Sequence, residues 1–266
     1  MIRTILVALL ALLPLVAHAQ TEQQALVDRA TLTVQEMLSG QGGIDARRML
    51  RNARGALICP RVFKAGFILG GQGGNCILVG RANGSWSGPA FYGMGSGSVG
   101  LQIGIQDAEV IFMVMTDRGL QALLDSQFKL GADATVAVAT IGGGVGGGTT
   151  AALRADVVAF YQARGLFAGL SLDGSMISAR SDWNQAYYGQ PMGAQNIVIG
   201  MSGQNPGAQP LQEMLTQFAG QPEQAPAGGP PPGYVPGPPQ PPLPNAGQVS
   251  IAPSGNVSAT PLAPPR

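Results

Sequence analysis

The sequence predicts an α+β protein: a curved antiparallel β-sheet or barrel with N-terminal amphipathic helices packed at one end, followed by a disordered Pro-rich C-terminal tail. Three observations carry that prediction. Apolar residues between positions 22 and 54 recur at helical spacing. From Gly55 onward the period shortens to two and glycines return every few residues, as in strands joined by tight turns. Seventeen of the 21 prolines follow Met201, in a stretch whose only charged side chains are Glu213, Glu223 and Arg266. Such a composition cannot bury a core.

The elements follow in chain order. Met1 to Arg3 give a small positive start, Ile5 to Val16 is apolar, and Ala17-His18-Ala19 has the small-x-small form of a cleavage site, so residues 1–19 are expected to be a removed export signal. The apolar run is too short for a spanning helix. The product is then periplasmic or secreted, and peripheral to the membrane. Thr21 and Gln24 form a capping box for a first helix that places Leu26, Ala30, Val34, Met37 and Leu38 on one face. A second, Ile44 to Arg54, sets Ala46, Met49, Leu50 and Ala53 against Arg47, Arg48, Arg51 and Arg54. Strands are expected at 56–59, 63–70, 76–81, 86–92, 99–106, 110–115, 134–140 and 166–180, with Asn83-Gly84 as a hairpin turn. Short helices are expected at 117–124 and 182–188. Residues 151–164 read as helix or strand, and strand is preferred. The domain is placed at 20–200 and the tail at 201–266, with one or two marginal helical turns at 211–218. Cys59 and Cys76 permit one disulfide in an oxidising compartment, or two buried free thiols.

Several chemistries are excluded or weak. The only histidine, His18, precedes the expected cleavage point, which removes a Ser-His-Asp or Cys-His nucleophile, a histidine base and a His-ligated metal. Gly95, Gly97 and Gly100, and again Gly142, Gly144 and Gly147, match GxGxxG, but the first runs into an alternating strand pattern instead of a helix that would face a pyrophosphate. Ser126 and Lys129 match SxxK without its companion motifs. Asp107, Glu109, Asp117, Asp125 and Asp133 match no cation loop and read as caps and solvated faces. The sequence therefore predicts no enzyme, no catalytic residue, no cofactor and no metal.

The positive signal is charge. The chain carries a net +1, yet residues 44–81 carry +6 and the remainder −5. A whole-chain field for a polyanion is lacking, so no nucleic-acid partner is expected. Local cations beside apolar side chains suit an anionic phospholipid membrane surface. Arg47, Arg48, Arg51, Arg54, Arg61 and Lys64 are the candidate lipid-binding residues. The same pattern also describes an ordinary helix packed on a sheet with its arginines in water.

The strings Ala53 to Pro60, Lys64 to Gly71, Trp86 to Tyr92, Gly95 to Gly104, Phe128 to Ala134, Arg164 to Gly174 and Tyr187 to Gly189 occur in an order that resembles the SYLF domain family over residues 22 to 200. The resemblance implies a lipid-binding module, for phosphoinositides in eukaryotes, with a basic amphipathic N-terminal portion at the membrane; the yeast branch is described as actin-binding. It carries onto the same six cationic residues. For an exported chain, envelope phospholipid replaces the cytoplasmic ligands. The alternative is an envelope scaffold that binds another envelope protein through its glycine-rich sheet or its proline tail.

Overall fold

A computed structural model describes residues 22–66, 69–99, 104–125, 127–141, 154–165 and 174–220. Helix α1 (Glu22–Leu38) buries Leu26, Val27, Ala30, Thr33, Val34, Met37 and Leu38, the face its spacing predicts. A 3₁₀ turn (Gln41–Gly43) leads into α2 (Ile44–Asn52), which buries Ala46 and Leu50. This helix stops two residues before its expected end. Ala53 is already extended and the Arg54 N–H donates to Val114 O at 2.7 Å, so Arg54 belongs to the entry of the sheet.

The strands are β1 (Gly55–Gly66), β2 (Leu69–Ala82), β3 (Ser85–Trp86), β4 (Ala90–Val99), β5 (Gly104–Val114), β6 (Gln127–Lys129), β7 (Val136–Thr140), β8 (Val157–Gly165) and β9 (Met176–Ala179). They form one curled half-barrel in the order β6-β9-β4-β2-β1-β5-β8-β7, with β3 paired to β2. Pairing is antiparallel except for β7 and β8, which run parallel. The ambiguous 151–164 segment thus contains strand β8, as preferred. Asn83 and Gly84 turn the β2–β3 hairpin with φ of 51° and 81°, the left-handed pair a two-residue turn needs.

Between these strands lie α3 (Asp117–Leu124) and α4 (Ser181–Tyr188), close to their expected bounds. A short helix α5 (Ala194–Val198), not expected from sequence, seats on β2 at Gly80, where a Cβ would lie 2.6 Å from Val198 Cγ1.

Both faces of the sheet's first half are buried. Ala56, Ile58, Ile77, Val79, Phe91, Ile111 and Met113 join α1, α2 and a C-terminal helix in one core; Leu57, Leu78, Tyr92, Val110, Phe112 and Val114 join α3 and α5 in the other. Double burial explains the continuous apolar runs in these strands. Cys59 and Cys76, next along β1 and β2 from the Ile58–Ile77 pair, are bridged, which settles the alternative left open by sequence.

Strand boundaries differ from expectation where glycine is dense. The expected strand 63–70 straddles the end of β1 and the start of β2, and 99–106 straddles β4 and β5. Residues 86–92 are split at Ser87–Pro89, where proline has no N–H for a ladder and Ser87 Oγ instead accepts from the Gly80 N–H. Of 166–180, only Met176–Ala179 is a described strand.

The expected tail boundary also moves. Helix α6 (Gln209–Ala219), preceded by a 3₁₀ turn at Pro206–Ala208, buries Leu211, Leu215 and Ala219 in the α1–α2 core. The one or two marginal turns expected at 211–218 are a helix of 11 residues docked in the core, and Pro210 sits in its first turn, where a missing N–H costs nothing. The export signal, the second glycine motif, Ser126 and residues 221–266 lie outside the described residues.

Candidate functional site

The six candidate cations divide into three groups. On α2, Arg48 and Arg51 are exposed; Arg48 lies 3.6 Å from Asp45, one turn back. Ile44, 43% exposed, shares their side of the helix at positions i, i+4 and i+7, while Ala46 and Leu50 face the core. One apolar side chain and two guanidinium groups thus face water together.

Arg47 turns the other way. Its Nη1 donates to Leu38 O and, at 2.9 Å, to Gly40 O, so it satisfies carbonyls at the end of α1. Arg81 serves α2 in the same manner, with Nη1 donating to Arg51 O at 2.7 Å and Leu50 O at 3.4 Å while its guanidinium lies 5.5 Å from the Trp86 ring centre. Arg54 pairs with Asp117 at 3.3 Å.

The third group is remote. Arg61 and Lys64 lie on the outer half of β1, and Arg61 is about 20 Å along the strand from Gly55 at the usual rise per residue. Register slips by one residue between Ile58 and Phe63, a bulge at Pro60 and Arg61 that a proline without an N–H favours. The bulge turns Arg61 onto the Phe63 face, where Nε and Nη2 donate to the two Asp107 oxygens at 2.7 and 3.1 Å and the guanidinium sits 5.7 Å from the Phe63 ring centre. The hydrogen bonds from Arg61 hold the Asp107 carboxyl below its ordinary range, and Asp107 raises Arg61 in turn. Lys64 falls on the opposite face, between Gln72 and Gln106 in register. The structure therefore does not gather the six residues into one patch.

Among the described residues no three Asp, Glu, Cys or His side chains come together as a metal site. Gly95 and Gly97 are mid-strand partners of Gly73 and Gly71, which does not fit a strand–turn–helix phosphate loop. No described helix is long and apolar enough to cross a membrane. Two cations outside the basic segment escaped the sequence reading: Arg29 on α1 and Arg180 before α4. Arg29 reaches the same side of the sheet as Arg61 by the packing of α1, and Arg180 by the register of β9 on β4, neither of which has a signature in linear spacing.

Comparison with known proteins places these elements in a lineage. Residues 95–218 match the family model described as "Ysc84: Las17-binding protein actin regulator". The human SH3 domain-containing YSC84-like protein 1 is 32% identical over 182 residues, covering 68% of this chain and 53% of that protein. LAS seventeen-binding protein 3 of Saccharomyces cerevisiae (strain YJM789) is 29% identical over 175 residues, covering 64% and 38%. The chain spans about half the length of the curated relatives it matches, or less. No solved structure matches it. The family match includes α6, in agreement with a fold that continues past residue 200. By this match and these relatives, the chain carries a domain of the Ysc84/SYLF family.

Proposed function

We propose that the protein is a non-enzymatic module that docks on anionic phospholipid surfaces through the solvent face of α2. The observation that carries this reading is Ile44, Arg48 and Arg51 exposed together on a helix whose other side is anchored in the core. An amphipathic helix so held inserts its apolar residue at the headgroup boundary while its cations meet lipid phosphates. Each lysine or arginine near such a surface contributes about 1 kcal/mol. Arg54, Arg61 and Lys64 add to the field at longer range, the first two less because their charge is balanced by Asp117 and Asp107, as Asp45 partly balances Arg48 on α2 itself. Arg47 contributes by holding α1 against α2.

Export is part of the proposal. It is supported by the leader-like residues 1–19 and by the Cys59–Cys76 disulfide, since such bonds persist in oxidising compartments. The second reading, an envelope scaffold, is favoured by the family description, which names a protein partner.

Co-sedimentation with vesicles containing one-third phosphatidylglycerol separates the readings. Replacing Arg48 and Arg51 by Gln together is expected to weaken binding by about 2 kcal/mol, or roughly 30-fold, with no change in melting temperature. Unchanged binding by the double variant would remove α2 from the contact.

A further inference from the structure

Three guanidinium groups border two adjoining cavities on the Phe63 face of the sheet. The first, about 380 Å³, lies where Leu26 and Arg29 of α1 stand over Arg61, Phe63 and Asn75. The second, an open depression on the sheet surface, continues across β4 to β9 between Asn75, Gly95, Met176 and Arg180. Gly74 and Asn75 line both. Register makes them one trough: Phe63 is opposite Gly73, Gly73 opposite Gly95, and Gly95 opposite Met176. With strands about 4.8 Å apart, the run from Phe63 to Met176 is about 14 Å.

The trough has a bare floor and unequal ends. Among the described residues, a Cβ built at Gly93 or Gly95 meets nothing nearer than 3.8 Å, so no described side chain fills the space that glycine leaves. Phe63 and Met176, 40% and 44% exposed, supply apolar surface at the two sides. Arg180 is already engaged: it donates to Asn75 Oδ1 at 3.2 Å and Asp182 Oδ2 at 3.3 Å, and it lies 3.9 Å from the Trp183 ring centre. Arg29 is different. It is exposed at the rim of the first cavity and is paired with none of the described acids, while the neighbouring Arg61 is already held by Asp107 through Nε and Nη2.

We propose that this trough binds a single-chain anionic amphiphile, an alkyl chain bearing a phosphate-ester or carboxylate head. The head meets Arg29, with Arg61 offering only the Nη1 edge that Asp107 leaves open, and the chain crosses Gly73 and Gly95 toward Met176. Guanidinium groups suit the planar or tetrahedral oxyanion of such a head, and a floor without side chains lets a linear chain lie against the backbone. This goes beyond bilayer docking and uses none of the exposed residues of α2, so loss of vesicle binding in the Arg48 and Arg51 variant leaves it standing.

The test is titration calorimetry of the purified protein with decyl phosphate below its micelle concentration, with inorganic phosphate and decyl maltoside as the head-only and chain-only arms. Saturable binding of decyl phosphate at one site is expected, with both control ligands at least about tenfold weaker. Arg29→Gln and Gly95→Leu are each expected to weaken decyl phosphate by about tenfold or more. Gly93→Val, checked by its melting curve, serves if Gly95→Leu does not fold. No binding, equal binding of either control ligand, or binding that a folded floor variant leaves intact would overturn the proposal.

Discussion

Arg47 and Arg51 lie four positions apart on one helix and do different work. Arg47 is held by carbonyls at the end of α1, so Arg47→Gln is expected to destabilise the fold by about 1.5–3 kcal/mol, the range for hydrogen bonds involving a charged group. Arg51→Gln is expected to leave stability within about 0.5 kcal/mol, as for an exposed surface change. Urea unfolding of the two variants measures both. Asp156 is a second residue whose role is set by its partners. It is 8% exposed and accepts from Thr116 Oγ1 at 2.7 Å and from Thr135 N and Oγ1 at 3.1 and 2.8 Å, tying the cap of α3 to β7 and β8. The Thr116 hydrogen bond, with those from Thr135, holds its carboxyl below the ordinary range despite burial. A depressed folded-state value stabilises the protein above the unfolded aspartate value, near 3.9, and that contribution disappears as pH falls through the folded value. Melting temperature is therefore expected to fall below about pH 4, and Asp156→Asn to lower it at pH 7 while narrowing the difference between pH 7 and pH 3.

At the scale of elements, α6 is the sharpest departure from composition. Leu215 is fully buried in the same core as α1 and α2, so Leu215→Ala is expected to cost about 2–5 kcal/mol in equilibrium unfolding. A cost under about 0.5 kcal/mol, the surface-substitution range, would return residues 209–219 to the tail. Elements with a strong local signal were legible in the sequence: the apolar stripe of α1, the leucines of α3 and the Asn83-Gly84 turn each depend on neighbours a few residues apart. Strand ends in the glycine-rich segments were not, because glycine marks a turn and a bare strand face alike, as Gly71, Gly73, Gly95 and Gly97 do here. The Pro60 bulge was equally hidden, since its effect appears only against the register of β2 and β5.

For the molecule as a whole, the concentration of charge was legible and its distribution in space was not. The +6 of residues 44–81 is a fact of sequence, but only tertiary contacts show Arg47 and Arg81 spent on helix carbonyls and Arg54 and Arg61 matched by acids. What remains exposed on α2 is small, so membrane affinity is expected to be modest and strongly screened, with a Debye length of about 10 Å at 0.1 M salt. The most direct measurement is the partition of the unmodified protein between buffer and vesicles of pure phosphatidylcholine or of phosphatidylcholine with phosphatidylglycerol, at low and at 0.5 M salt. Binding to the anionic vesicles is expected at low salt, lost at high salt and weak on the neutral ones. Protein left in the supernatant of anionic vesicles at low salt would contradict it.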